Sequence, residues 1–506
     1  MQKIFSNPSD LEKFIKNEYS IPDFLMMENA ANAMANFILQ QRDLLNNNKS
    51  MPTVLIICGK GNNGGDGYAL ARLLQNKCKI SIFCIEPPSA KEAQTQYEIC
   101  KKLDIKIIYA SNNEDLKNFK QNCSKADFIV DCIYGTGFHG ILEDSIKSII
   151  DIANKTNAIK IACDIPSALY FKSDYTITMG EQKLSLFSDK AKAICGHIFV
   201  EEIGFDRNIF ESEDFFTKYS NSNALLVEET DINLPFRKNK SAHKGTYGHT
   251  IIFAGQKSGA AILAATAAMN FGSGLTTLIK NSDLSQFKIS PSLMISDSIP
   301  KKATCIVAGP GFTVFSDNIS QQIINWFQNT NNPAAVFDAG IISASNFPDF
   351  LTKLNQFNNA RIVITPHLAE LSRFLNVLKN SDSYKSFFAD FSDEDIEVKS
   401  LAENPEIKIK IGHLLNKLFP RTAVIMKSAN TFICADNHCF IIDKGPQSLA
   451  KGGSGDILAG MTAALLSQGY SAKDASITAT FHHAITARNL GVDAYNLTPE
   501  KLIANI

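Results

Sequence analysis

The sequence is short of the features that usually assign a protein quickly. It has no surplus of charge: 50 basic residues face 51 acidic ones, for a net charge of −1. That balance gives no electrostatic footprint for nucleic acid or for an anionic membrane surface. No apolar run approaches the roughly 18 residues that a membrane-spanning helix needs. The start, MQKIFSNPSDLEKF, lacks the apolar centre of a signal peptide, so a cytoplasmic location is expected. The eleven cysteines include no CxxC pair, which leaves zinc and redox-motif readings little support. Eight fall before residue 200, several inside strand-like runs (Cys58, Cys84, Cys132, Cys163). There a reduced thiol acts as a small apolar residue, and buried, reduced cysteines are expected. The chain has no GxxxxGK loop followed by Ser or Thr, and no repeat with a period of about 20–50 residues.

What is present is alternation. At 506 residues the prior is roughly three domains or two large ones. A helical stretch over 8–45 is followed by apolar strand patterns at 53–58, 79–85, 105–109, 127–132 and 159–163, and a strand pair within 175–200. Such alternation predicts an α/β fold with a mostly parallel sheet covered on both faces. Residues 212–242 are polar and weakly periodic, and read as a linker. A second alternation begins at 243, with strands at 249–254, 275–279, 304–308, 334–338, 361–364 and 422–427 and a hairpin over 431–442. The expected organisation is a Rossmann-like domain over 1–211, the linker, and a second α/β domain over 243–506.

The second half carries AKGGSGDILAGMTAALL, residues 450–466. A glycine loop running into a helix offers backbone N–H groups and a positive helix end to an anion. Asp456 directly follows the loop, placed to take a proton from a hydroxyl that attacks a phosphoryl group. It is also a residue type that often caps a helix, and spacing alone does not choose between the two. The loop resembles the anion-hole signature of the ribokinase-like superfamily. The ordered set SAHKGTYGHTIIFAGQKSGAAILAATAAMNFGSGLTTLI, VAGPGF, ITPHLAEL, VIMKSANTFI and AKGGSGDILAG is similar to the ADP-dependent NAD(P)H-hydrate dehydratase family. That resemblance implies a ribokinase-like fold. It also implies transfer of a phosphoryl group to the C6 hydroxyl of hydrated NADH or NADPH, after which phosphate leaves and the nicotinamide is restored.

Carried onto this sequence, the resemblance assigns ADP to two segments. One is Lys427, Ser428, Ala429, Asn430 and Thr431; the other is Pro446, Gln447, Ser448, Leu449, Ala450, Lys451, Gly452, Gly453, Ser454 and Gly455. Asp456 is the implied base and, with Gly311 and His367, lines the substrate site; magnesium accompanies the ADP. The chain departs from the family pattern at Ser428, Asn430, Leu368, Ala369 and Gly340. Asn430 stands where glycine is usual, and Asn tolerates the left-handed conformation.

The first half opens on VLIICGKGNNGGDGYALARLL, residues 54–74. Gly59, Gly61 and Gly64 satisfy GxGxxG and Glu86 follows about twenty residues on, as in a dinucleotide-binding fingerprint. The two asparagines and Asp66 are out of place for a loop that cradles pyrophosphate with bare backbone. Glycines 59, 61, 64, 65 and 67 are expected to let the backbone approach a ligand closely. Further motifs follow strands, where ligand sites gather in open α/β sheets: VDCIYGTGFHG and ACDIPSALY, with MMENAAN before them. In this order they resemble the NAD(P)H-hydrate epimerase family.

The resemblance implies that Asn62, Asn63, Gly64, Gly65 and Asp66, with Gly135, Thr136, Gly137, Phe138, His139, Gly140 and Ile141, bind the substrate. It implies Asp164 as the acid/base and as a further substrate contact. Asn63, Asp131 and Ser167 are the implied ligands of a potassium ion, and a hard-oxygen set suits such a cation. Ala168 replaces the usual glycine of DIPSGL; a left-handed residue there costs about 1 kcal/mol.

Both halves thus point to one damaged cofactor. The expected enzyme is an isomerase that interconverts R and S hydrates, joined to a lyase that dehydrates the S hydrate with release of AMP and phosphate. Its partners are NADH and NADPH hydrates and ADP, without nucleic acid or membrane, in a homo-oligomer. The alternative is a ribokinase-like kinase for a small molecule or vitamin, with the first half as a nucleotide-sensing accessory. A kinase releases a stable phosphorylated alcohol. A dehydrogenase fits least, since no His/Asp hydride-transfer arrangement follows the GxGxxG.

Overall fold

In a computed structural model, which describes residues 1–6, 8–42, 51–110, 113–138, 140–219 and 223–506, the chain forms two compact units. One is Lys3–Asn221; the other is Ser222–Ile506 together with Met1–Gln2.

The sheet of the first unit runs, edge to edge, Ile107–Tyr109, Lys79–Cys84, Thr53–Cys58, Phe128–Cys132, Ile159–Cys163, Tyr175–Met179 and His197–Glu201. Every neighbouring pair is parallel. Val54–Cys58 and Phe128–Cys132 are buried without interruption, as strands covered on both faces require. The alternation read from the sequence is therefore present. The stretch expected as one helix over 8–45 is two, Pro8–Tyr19 and Asp23–Arg42. They part at Ser20, whose φ is 55°, just before Pro22, which lacks an N–H donor. Ile4 and Phe5 form a short strand paired to Gln182 and Lys183.

The second unit orders its strands Met294–Ser296, Leu275–Ile279, His249–Phe253, Cys305–Ala308, Ala334–Phe337, Arg361–Ile364, Thr422–Met426, Thr431–Ala435, His438–Ile442 and Ala224–Leu226. Pairing is parallel as far as Thr422–Met426, then antiparallel through the two hairpin steps. Helices Ser258–Asn270 and Ser454–Ser467 pack closely over this sheet. A Cβ on Gly460 would overlap the carbonyl oxygen of Ala264, and the small residues of both helices form the centre of the core.

The segment expected as a linker, 212–242, is divided between the units. Glu213–Tyr219 is a helix whose Phe215 and Phe216 pack edge-on against Phe5. Ala224–Leu226 is a strand beside His438–Ile442. Both apolar runs are too short to show a period in the sequence.

The free cysteines are all buried. Cys434 and Cys439 correct the expectation of reduced thiols throughout, because they are joined as a disulfide. They lie directly opposite on the antiparallel hairpin with Cα atoms 4.4 Å apart, the spacing at which cross-strand side chains come closest. No helix among the described residues is long and apolar enough to cross a membrane.

Candidate active sites

In the first unit the carboxyl ends of the strands converge on a cavity of about 540 Å³. Asn62, Asn63, Asp66, Gly135, Thr136, Gly137, Phe138 and Asp164 all line it. Gly140 and Ile141 do not, and Ile141 is 95% exposed; His139 lies outside the described residues. The glycines of the opening loop serve the fold more than a ligand, contrary to expectation. A Cβ on Gly59 would overlap the Ile133 carbonyl, one on Gly64 the Gly59 carbonyl, and one on Gly65 the Met27 methyl. On Gly67 it would meet Cys58 Sγ at 2.7 Å. Only Gly61 among these has open space where a side chain would go. The GxGxxG match thus records tight strand–helix packing, and Glu86 ion-pairs with Lys60 at 2.9 Å.

Asp164 follows strand Ile159–Cys163 with φ of 70°, a left-handed conformation that Asp adopts more readily than most residues. Its Oδ2 accepts from the Thr136 amide at 3.4 Å and its Oδ1 from the Met179 amide at 3.5 Å and from Lys183 Nζ. Lys183 was not foreseen. It is buried, donates to Thr178 Oγ1 at 3.0 Å and Met179 O at 2.9 Å, and sits 3.7 Å from Glu181 Oε1. Burial opposes its charge, but Asp164 and Glu181 outweigh that and raise its pKa above the ordinary lysine value. Burial, partly offset by Lys183, pushes Glu181 up to about 8. Burial and then Asp164 push Asp66 well above the carboxylate range.

Asp131 and Ser167 are bonded to each other. Asp131 Oδ1 accepts from Ser167 Oγ at 2.6 Å and from the Ile133 amide at 3.1 Å, and its Oδ2 accepts from the Ser167 amide at 2.8 Å. Burial, against these donors, carries Asp131 up to about 6. Ser167 Oγ also accepts from the Tyr134 amide at 2.9 Å, next to Gly135, whose missing Cβ would stand 3.6 Å from Asn63. Both amide atoms of Asn63 are buried without a hydrogen-bond partner. A buried amide oxygen without a partner fits an oxygen-bound cation, whereas Asp131 and Ser167 do not line the cavity. Ala168 does take the left-handed conformation, with φ of 54°, and Leu169 follows at 46°.

In the second unit the site is again at the carboxyl ends of strands. Gly453, with φ of 94°, is the N-cap of helix Ser454–Ser467 and no side chain caps it. Asp456 sits in the first turn and is not the cap. Lys427 Nζ pairs with Asp338 Oδ1 at 2.8 Å, and Thr365 Oγ1 donates to the same oxygen at 2.6 Å. A Cβ on Gly455 would lie 3.1 Å from Lys427 Nζ, so the two expected ADP segments do meet. Burial first, then Asp338, push Asp456 up to about 7, with Lys427 opposing.

His367 caps helix Leu368–Lys379: its Nδ1 accepts from the Glu370 amide at 3.2 Å, and Glu370 Oε2 accepts from the His367 amide at 2.9 Å. It bridges to Lys427 through the backbone, which places it beside the expected nucleotide segment. Gly311 has φ of 74°, and a Cβ there would overlap Lys257 O; one on Gly309 would overlap the Asp338 carbonyl. Ser448, Leu449, Lys451, Gly452 and Ser454 line one cleft. Ser448 Oγ is buried without a partner, and Lys451 Nζ donates to Tyr495 O at 3.0 Å.

The departures at Ser428, Asn430 and Gly340 have local explanations; nothing in the structure explains Leu368 and Ala369. Asn430 is not among the left-handed residues; Ser428 Oγ donates to Asn430 O at 2.6 Å and accepts from the buried Lys408 at 3.0 Å. A side chain at Gly340 would begin 2.7 Å from Phe312 O, leaving no room for an acid. Asp338 and Lys183 escaped sequence reading: neither stands in a glycine loop, and only their burial beside an opposite charge marks them.

A family model described as YjeF-related protein N-terminus matches residues 24–185, and one described as NAD(P)H-hydrate dehydratase matches residues 250–506. A Helicobacter pylori protein named bifunctional NAD(P)H-hydrate repair enzyme Nnr is 31% identical over 516 residues, 100% of this chain and 99% of its own. A protein of the same name from Moorella thermoacetica is 26% identical, covering 91% of this chain and 86% of its own. A solved ribokinase-like superfamily protein from Enterococcus faecalis aligns with 56% of this chain and 93% of its own, at 21% identity and a TM-score of 0.40.

Proposed function

The chain belongs to the bifunctional NAD(P)H-hydrate repair family, and on that premise we propose which of its residues act in each of the two reactions. It is an isomerase that interconverts the R and S hydrates of NADH and NADPH, and a lyase that dehydrates the S hydrate with ADP, releasing AMP and phosphate. Asp164 is the acid/base at the nicotinamide C6 carbon, in the cavity lined by Asn62, Asn63, Asp66 and Gly135–Phe138. Asn63, Asp131 and Ser167 would hold a potassium ion, supported by the orphaned Asn63 amide; bound, it would fix the loop and add positive charge.

In the dehydratase, the Lys427–Thr431 and Pro446–Gly455 segments hold the nucleotide. Backbone amides of the glycine loop face the phosphates and stabilise developing charge. Asp456 takes the proton of the C6 hydroxyl as that oxygen bonds to phosphorus. The phosphate then leaves with the C6–O electron pair as N1 closes a C=N bond, C5 gives up a proton to water, and the C5–H electron pair forms the C5=C6 double bond while the C=N pair returns to N1. Magnesium typically binds one or two carboxylates plus substrate phosphates, a requirement that the buried Asp338 fits; it would neutralise phosphate charge. Gly311 and His367 border the hydrate.

The observation that carries this reading is Asp456, held up to about 7 in the first turn after the loop. A general base works best with a pKa near the operating pH. The test supplies the full chain with mixed NADH hydrates and either ADP or ATP, and follows recovery of NADH absorbance. Recovery with AMP or ADP as the nucleotide product supports it; no recovery with either nucleotide overturns it. A stable phosphorylated product would instead mark a kinase. Assembly as a homo-oligomer is tested by sedimentation of the full chain.

A further inference from the structure

Glu12, Asp23, Asp66 and Asp164 line the cavity of the N-terminal unit, and one buried lysine engages the last two unequally. Asp164 has both oxygens occupied, by Lys183 Nζ and two backbone amides. Lys183 is itself immobilised by Thr178 Oγ1 and Met179 O, and its main chain pairs with Phe5. Asp66, on helix Asn62–Leu74, lines the same cavity. Among the described residues its one hydrogen bond is a 4.0 Å contact from the Cys163 thiol, and no cation is paired with it.

Building on the epimerase reading above, we propose that Asp66 supplies the proton to the departing C6 hydroxyl while Asp164 accepts the proton of the water that replaces it, and that Lys183 is the positioning residue that fixes this division. The step balances. Asp66 gives its proton to the hydroxyl oxygen; the C6–O bond breaks, its electron pair leaves with water, and the N1 lone pair closes a C=N bond. A second water adds to C6 from the other face of the ring. Its lone pair forms the new C6–O bond, the C=N pair returns to N1, and the released proton goes to Asp164. That proton returns to Asp66 through water in the cavity, so the enzyme is unchanged and the carbon inverted.

The electrostatics agree with the geometry. Burial, then Asp164, raise Asp66, whereas Asp164 has an ammonium against it. A carboxyl raised in this way keeps the proton that a general acid needs. The other titratable groups facing them are Glu12, Asp23, Lys60, Tyr134, Cys163 and Glu181. Among the described residues only the Cys163 thiol hydrogen-bonds to Asp66.

The test uses the full chain without nucleotide, purified R hydrate, and chromatographic separation of the two epimers across pH. Wild type should lose kcat at high pH as Asp66 gives up its proton. Asp66→Asn should lower kcat at least about 100-fold with KM nearly unchanged, and flatten that limb. Lys183→Met should lower kcat and move the low-pH limb upward, and Lys183→Arg should restore part of both. Wild-type kcat in Asp66→Asn overturns the proposal, as does loss of rate in the Lys183 variants with an unmoved pH profile. If wild type interconverts no hydrate at any pH, the epimerase reading itself falls, and this inference with it.

Discussion

Replacing Asp456 by Asn should remove the dehydratase base and at the same time make the C-terminal unit more stable at neutral pH. Burial and the neighbouring Asp338 bring the Asp456 pKa to about 7, against roughly 4 for an aspartate in an unfolded chain. Between those values the folded state holds a proton that the unfolded state has lost. Stability from this group is therefore complete below about pH 4, falls as pH rises, and is lost above about pH 7. Three units at about 1.4 kcal/mol each amount to roughly 4 kcal/mol, and partial solvent contact reduces this to about 2–3 kcal/mol. Asn is neutral at every pH. The variant should thus melt about 5–10 °C above wild type at pH 8, at some 2–4 °C per kcal/mol for a unit of this size. The difference should vanish near pH 4. Dehydration should fall by about 10²–10⁴-fold. Calorimetric melting without nucleotide between pH 4 and 8 decides it. A variant that melts at or below wild type at pH 8, or whose advantage persists at pH 4, refutes the account of this carboxyl.

Asp164→Asn should abolish epimerisation while ADP-dependent dehydration of pure S hydrate continues, as seen by assaying each epimer separately. Lys427→Met should strand the buried Asp338 carboxylate, costing about 3–5 kcal/mol, with a lower melting temperature and weaker ADP binding by calorimetric titration. Ala168→Gly should relieve the left-handed strain at φ 54° and raise the stability of the N-terminal unit by about 1 kcal/mol, read from its melting transition. Gly309→Ala, at φ 125° and against the Asp338 carbonyl, should displace Asp338 and remove dehydratase activity in a chain that still epimerises.

Strands buried on both faces were legible because unbroken runs such as VLIIC and FIVDC have few other places to go. The loop-borne site residues were legible because glycines, asparagines and aspartates at strand ends have distinct turn chemistry. What the sequence concealed depends on contacts across long separations. Lys183 is one lysine in GEQKLSL until Asp164 is seen against it. Asp338 gains meaning only through Lys427. Gly59, Gly64, Gly65 and Gly67 suggest room for a ligand because a motif does not say which atoms press on a glycine. The short strand Ala224–Leu226 was hidden because three residues carry no measurable period.

That strand has a consequence for how the protein is made. Ala224 pairs with Cys439, so its partner emerges from the ribosome roughly 200 residues later, or about 10–40 s at 5–20 residues per second. The strands of the first unit, by contrast, are all translated by Glu201. The isomerase is therefore free to fold while the lyase is still being synthesised, with Ala224–Leu226 still lacking its Cys439–Ile441 neighbour. A ribosome stalled in that interval should yield a chain with epimerase activity alone, carrying unpaired strands that chaperones would have to shield.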